Sequence, residues 1–246
     1  MPSSSPGFYP PEFTQRSRAV LQRVHEAVPD AVLIGGSGTW LRTGGPMSHD
    51  IDLILTRPEL ATLTALVDEV SESRHLAGRK WRGSLDGIHL DLYVPHQSRL
   101  GQHLQLRTER LVRHTQVLDD WVVLEPPAHL ATKLAALVDR PDSAPGDKDR
   151  NEIMALLGQG IDTADAVAVI HEASDRSPGE ITGLIDRAFE YLGDLRLDRN
   201  QRRSLNQLAR EWHDHSRRLA PDLPTPPGRS SPGRRGPERG SPGLHM

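Results

Sequence analysis

"VLIGGSGTWLRTGGPMSHDIDLIL", residues 32–55, is the stretch from which the rest of the chain is read. Residues 31–35 (AVLIG) make a short, wholly apolar strand, and the SGTWLR that follows suits the start of a helix. Residues 51–55 (IDLIL) make a second strand. Side chains two apart on a strand point the same way, so Asp50 and Asp52 share one face while Ile51, Leu53 and Leu55 share the other. Two like charges side by side on an aliphatic strand repel each other and require a compensating cation.

A related pattern lies downstream. GRKWRGSL and IHLDLYVP alternate on either side of Asp86-Gly87, a pair that favours a type I′ hairpin turn. In IHLDLYV, His89, Asp91 and Tyr93 face one way and Leu90, Leu92 and Val94 the other. With the two acidic strands as neighbours, Asp50, Asp52 and Asp91 converge. Oxygen ligands with no His or Cys among them suit Mg²⁺, one or two ions, which keeps open positions for phosphate oxygens. A pair of such ions can clamp the attacking and leaving oxygens of a phosphoryl displacement. Upstream, a strand ending in Gly35-Gly36-Ser37 and turning into a helix presents backbone N–H groups to an anion. Gly36 permits close approach, and Ser37 either donates to phosphate or caps the helix. The pattern is not a Rossmann fingerprint, because Leu41 stands where the third glycine belongs, and no Gly-Lys-Ser/Thr follows to make a P-loop.

The bulk composition narrows the classes. The chain has 246 residues and a formal net charge of −3, so it is no polycation. No run approaches the roughly 18 apolar residues of a membrane span. MPSSSPGFYPPEF has neither the basic patch nor the apolar centre of a secretory signal. Zero cysteines exclude disulfides, thiolate catalysis and Cys-zinc sites, and a cytoplasmic protein is expected. Only three of the 30 basic residues are lysines, Lys80, Lys133 and Lys148, which makes each a candidate for a site that needs a compact point charge.

Residues 14–28 read as a helix with Ala19, Val20, Val24 and Val28 along one face, and RPELATLTALVDEVSES as another with Pro58 in its first turn. WVVLEP is a last strand. From Pro127 the patterns are helical, over about 127–139, 147–158, 162–173, 178–192 and 196–219. The order is α+β: a small mixed sheet with flanking helices, then a helical C-terminal domain. The expected division is a flexible N-terminus (1–13), an α/β core (14–125), a helical domain (126–220) and a disordered Pro/Gly/Arg-rich tail (221–246).

GGSGTWLRTGGPMSHDIDLIL followed by HLDLYV resembles the nucleotidyltransferase superfamily, whose pattern is a Gly-Ser turn, a short helix, h-Asp-h-Asp-h and a third Asp on a later strand. Within it, GG[ST]…LR…S-x-DIDL looks most like the AbiEii/MenT branch, the toxins of type IV-like toxin–antitoxin and phage-defence systems. That branch also carries a helix with Lys, a following Arg and a Lys/Arg-Asp-x-x-Asp segment. LATKLAALVDR supplies Lys133 and Arg140, and GDKDRNEIMALL supplies Lys148 and Asp149, with Glu152 in place of the last Asp. The resemblance covers roughly residues 31–158.

It implies a nucleotidyltransferase-like fold and transfer of an NMP from an NTP to an acceptor hydroxyl. Asp50, Asp52 and Asp91 would hold metal, and Asp91 would also, or instead, activate the acceptor. Gly36, Ser37, Lys133, Arg140 and Lys148 would bind the triphosphate, the lysines offsetting charge on the leaving pyrophosphate. Asp149 would orient a lysine or the acceptor hydroxyl, or simply favour a helix start. The implied partners are an NTP, tRNA and a cognate antitoxin, with no membrane.

Other signals carry less. No HExxH exists among the 12 histidines, and His213 and His215, two apart on a helix, should not chelate together. His49 sits at the strand entrance, and Arg42 either reaches a phosphate or lies on a helix surface. The C-terminal helix and tail are locally arginine-rich, a solvated face or an RNA-tracking one. Two other functions suit the same core: a nucleotidyltransferase for small molecules of aminoglycoside type, and an inactive nucleotide- or protein-binding module.

Overall fold

The computed structural model describes residues 11–75 and 78–220, so the expected tail (221–246) and residues 1–10 of the expected N-terminal segment lie outside it. The first helix, α1 (Pro11–Ala27), starts at Pro11 rather than at residue 14. It is followed by β1 (Val32–Ile34), α2 (Gly35–Thr43), β2 (Asp50–Ile54) and α3 (Arg57–Thr64). Thr56 opens α3 through a capping box with Glu59, and Pro58 lies in the first turn as expected.

The helix expected to run on to Ser73 stops at Thr64. Ser71–His75 is instead β3, paired antiparallel with β4 (Gly78–Leu85) from Ser71↔Arg82 to His75↔Gly78. The cross-strand ladder outweighs a helical pattern that has β-branched Val67 and Val70 just past the helix end. The Asp86-Gly87 hairpin forms as read: both residues have positive φ, 51° and 77°, the type I′ geometry, and β5 (Ile88–Tyr93) follows.

Two short strands, β6 (Arg99–Leu100) and β7 (Leu106–Arg107), pair with each other, and α4 (Thr108–Leu111) leads to a hairpin of β8 (Thr115–Leu118) and β9 (Trp121–Leu124). β9 is the expected WVVL strand and lies parallel to β1. The main sheet has seven strands in the order β3-β4-β5-β2-β1-β9-β8, mixed in direction. The helical part is α5 (Pro126–Asp139), α6 (Ala144–Leu157), α7 (Thr163–Ala173), α8 (Pro178–Leu192) and α9 (Arg199–Leu219), each close to its expected bounds. Among the described residues no helix is long and apolar enough to cross a membrane.

Strand alternation sorts the sheet into two faces. Leu33, Ile51, Leu53, Leu90, Leu92, Val94 and Val123 pack with Val20, Val24, Leu60 and Leu63 of α1 and α3. Val32, Ile34, Ile54 and Leu124 face the other way and join one core with Leu130, Leu134, Ile153, Ile170, Ile185 and Trp212 of the helical part. Asp50 and Asp52 have the parity of Ile54, and Asp91 that of Tyr93, so the acids lie on the face the helices cover.

Candidate active site

β2 and β5 are parallel neighbours, with Asp52 opposite Asp91 and Asp50 opposite His89. The aliphatic residues between the acids fix this register, because a slip by one residue would drive the carboxylates into the α1/α3 core. Burial and the charge of Asp91 push the Asp52 carboxyl up to about 6, with Lys133 and Lys80 pulling the other way and Asp50 adding to the push. Burial is the largest of these influences, and the neighbouring acids add to it.

The start of α2 lies against that carboxylate. Gly35 has φ +64°, and a Cβ there would overlap the Asp52 side chain. At Gly36 a Cβ would come within 2.8 Å of Lys148 Nζ and 2.7 Å of Ser48 Oγ. Ser37 is fully buried and is not the N-cap; that position is Ile34, and α2 has no side-chain cap. The Ser37 hydroxyl donates to the Asp50 carbonyl at 3.2 Å and ties the helix start to β2.

Asp91 has its own cations. It is ion-paired with Lys80 of β4 and lies 3.5 Å from Arg82. The Lys80 ammonium also sits 5.3 Å from the centroid of the Tyr93 ring. The Tyr93 hydroxyl is pushed well above its ordinary value by burial, then by Asp52 and Asp91.

The helical part supplies the remaining charges. Lys133 of α5 is buried and paired with Glu152, with Asp149 at 3.5 Å. Asp149 is 1% exposed and receives the Arg140 guanidinium at 2.8 and 2.9 Å. Burial works to lower the Arg140 pKa, but Asp149 foremost, then Asp52 and Tyr93, hold it above the usual value. Lys148 of α6 donates to Ser48 Oγ at 2.9 Å and reaches Glu152 at 3.7 Å. Its charge, after burial, lowers the His49 pKa, while Asp50 opposes it. The residues singled out in the sequence, Gly36, Ser37, Asp50, Asp52, Asp91, Lys133, Arg140, Lys148 and Asp149, thus stand in one neighbourhood.

The sequence marked Lys80 as a candidate by its rarity but gave it no role at the site, and it gave none to His129 or Ser48. His129 lies one helical turn before Lys133 in an otherwise apolar run, which was the available signal. It is buried, with Nε2 3.1 Å from both Thr39 Oγ1 and the Gly35 carbonyl. Burial, then Lys133 and Arg42, lower its pKa to about 3, so it is neutral and braces the turn into α2. Arg42 is half-buried and donates to the Leu124 carbonyl, so it does not lie free on the helix surface. His213 pairs with Asp186 at 2.9 Å.

Among the described residues no three His, Cys, Asp or Glu side chains form a ready metal cage. The donor chemistry of Asp50 and Asp52 nevertheless fits a hard divalent cation: carboxylate oxygens only, on a strand where burial, then Asp91, holds the Asp52 carboxyl above its usual range. Surface cavities of about 450 Å³ beside Arg150 and Asp194 and about 330 Å³ beside Arg99 and Arg107 include none of the three acids.

No protein-family model matches the sequence. No curated protein matches it. The fold is similar to the crystal structure of an antigenic nucleotidyltransferase-like protein from Paracoccidioides brasiliensis, at 13% identity and a TM-score of 0.45, over 82% of this chain and 94% of that one.

Proposed function

We propose that this protein is a Mg²⁺-dependent nucleotidyltransferase that moves an NMP from an NTP to an acceptor hydroxyl. The observation that carries the reading is the Asp52–Asp91 cross-strand pair set against the uncapped start of α2, with burial, then Asp91, raising the Asp52 carboxyl. Asp50 and Asp52 would hold Mg²⁺, which would supply positive charge against the triphosphate and Lewis acidity toward the phosphate under attack. The backbone N–H groups at Gly36 and Ser37 receive phosphate oxygens, since the Ser37 hydroxyl is engaged with Asp50.

Asp91 takes the proton of the acceptor hydroxyl as its oxygen bonds to the α-phosphorus. The bond from that phosphorus to the bridging oxygen breaks, and pyrophosphate departs with the electron pair. Lys133, Lys148 and Arg140 offset its charge. Asp149 holds Lys133 and Arg140 in position.

The acceptor in this reading is RNA, with the tRNA 3′ end as its reactive hydroxyl and an antitoxin protein as the neutralising partner, as in the toxin branch that the motifs resemble. Support comes from α9. Arg199, Arg203, Arg210 and Arg217 recur at helical spacings that place them on one exposed face, a line about 27 Å long at 1.5 Å per residue. Among the described residues none of the four is ion-paired with an acid, as suits a surface that tracks phosphates.

The test is incubation with α-labelled NTPs, Mg²⁺ and total tRNA. Label should appear in RNA with the wild type and not with Asp52→Ala, and equal label with both would refute the assignment.

A further inference from the structure

The third carboxylate of the site is already supplied with positive charge. Lys80 and Arg82 lie two apart on β4, and Arg82 is directly opposite Asp91 in the β4–β5 register, so both bases emerge on the acidic face. The Lys80 side chain is the more enclosed, 16% exposed against 54% for Arg82. It is held from two sides, by the Asp91 carboxylate and by the Tyr93 ring. Its field also reaches Asp52, where it favours the ionised carboxylate against burial and Asp91. A hairpin ladder, not a loop, sets the place of the ammonium, so it stays beside Asp91 without a hinge.

Lysine suits this position for a specific reason. An ammonium is a compact point charge with three donors, closer to a bare cation than a planar guanidinium is. A chain with only three lysines among 30 basic residues has one here, where an arginine stands two residues away.

Resting on the nucleotidyltransferase reading above, we propose that Lys80 takes the place of a second metal ion. The site then binds one divalent cation, at Asp50 and Asp52, and the Lys80 ammonium supplies the other positive charge, at Asp91. In the transfer reaction Lys80 acts as a positioning residue that aims Asp91 at the acceptor oxygen. The same arrangement explains why three acids on one face do not form a three-ligand cage: Asp91 is engaged with Lys80 instead of with its two neighbours.

The experiment is a count of bound Mn²⁺ per chain by electron paramagnetic resonance of the free ion, on the full chain without nucleotide. The expected result is one Mn²⁺ for the wild type, none for Asp52→Ala, one for Lys80→Arg and a second, weaker ion for Lys80→Met. Asp91→Asn should still bind one, and this variant decides the matter if Lys80→Met fails to fold by circular dichroism. Two ions on the wild type, loss of an ion in Asp91→Asn, or a folded Lys80→Met that stays at one would overturn the role of Lys80. A wild type that binds no Mn²⁺ would overturn the metal reading itself along with it.

Discussion

Two charge clusters meet at the site, and they are built on opposite principles. On the sheet, Asp50, Asp52 and Asp91 face Lys80 and Arg82 across β2, β5 and β4, an excess of acid. On the helices, Asp149 and Glu152 face Lys133, Arg140 and Lys148, an excess of base. The helical cluster pairs both of its acids and keeps base to spare. Its central acid is 1% exposed and bonded to two cations, so its charges stabilise a packed state. The sheet cluster leaves Asp52 with a carboxyl raised to about 6. Charge that a fold leaves uncompensated is where a ligand has something to contribute, and a metal–triphosphate brings cation to the first cluster and anion to the second.

Removing one acid from each cluster separates the two most sharply. Asp149→Ala strands the buried Lys133 beside Glu152 alone and frees Arg140, and should cost about 3–5 kcal/mol in urea unfolding. Asp52→Asn should act in the opposite direction. A carboxyl whose folded value lies above its unfolded one binds more protons in the native state, so its effect on stability worsens as pH rises through about 6. Without divalent ions, Asp52→Asn should therefore exceed the wild type in stability at pH 8 by about 1–3 kcal/mol, at about 1.4 kcal/mol per pKa unit. The advantage should vanish below about pH 4, and Mg²⁺ should erase it at pH 8 by stabilising only the wild type. Equal melting curves for the two proteins at pH 8 would contradict the account.

His129 titrates with the opposite effect on stability. Its folded value, about 3, lies below the unfolded one, so its contribution is complete above about pH 6.5 and is lost as pH falls. His129→Gln should thus flatten acid unfolding relative to the wild type, whereas Asp52→Asn should steepen it, as paired denaturation series from pH 4 to 8 would reveal. The smallest expected effect lies farthest from the site. Arg203→Gln with Arg210→Gln should leave stability within about 0.5 kcal/mol, as for surface changes generally. It should lower the slope of log affinity for tRNA against log salt by about one for each arginine removed.

The parts of this site that could be read in the sequence are those governed by strand parity. Asp50, Asp52 and Asp91 were legible because aliphatic residues alternate with them, and the Asp86-Gly87 turn because few pairs adopt two positive φ angles so readily. The β8–β9 hairpin escaped notice because its turn is Asp119-Asp120, non-glycine residues at φ 48° and 65°. β3 was hidden by a helical pattern that only its partner strand overrules. Lys80 stood out by rarity, but nothing in a one-dimensional pattern says which acid a lysine two positions from an arginine will meet. Ser37 was read as a phosphate donor or a helix cap, and its bond was not legible, since its acceptor is a backbone carbonyl 13 residues on.

The most direct measurement is the affinity of an NTP by titration calorimetry, with and without Mg²⁺, for the wild type and Asp52→Asn. The account predicts that Mg²⁺ tightens binding to the wild type by at least about tenfold, or 1.4 kcal/mol, and leaves Asp52→Asn unchanged. Nucleotide affinity that is indifferent to Mg²⁺ in the wild type, or that responds equally in both proteins, would contradict it.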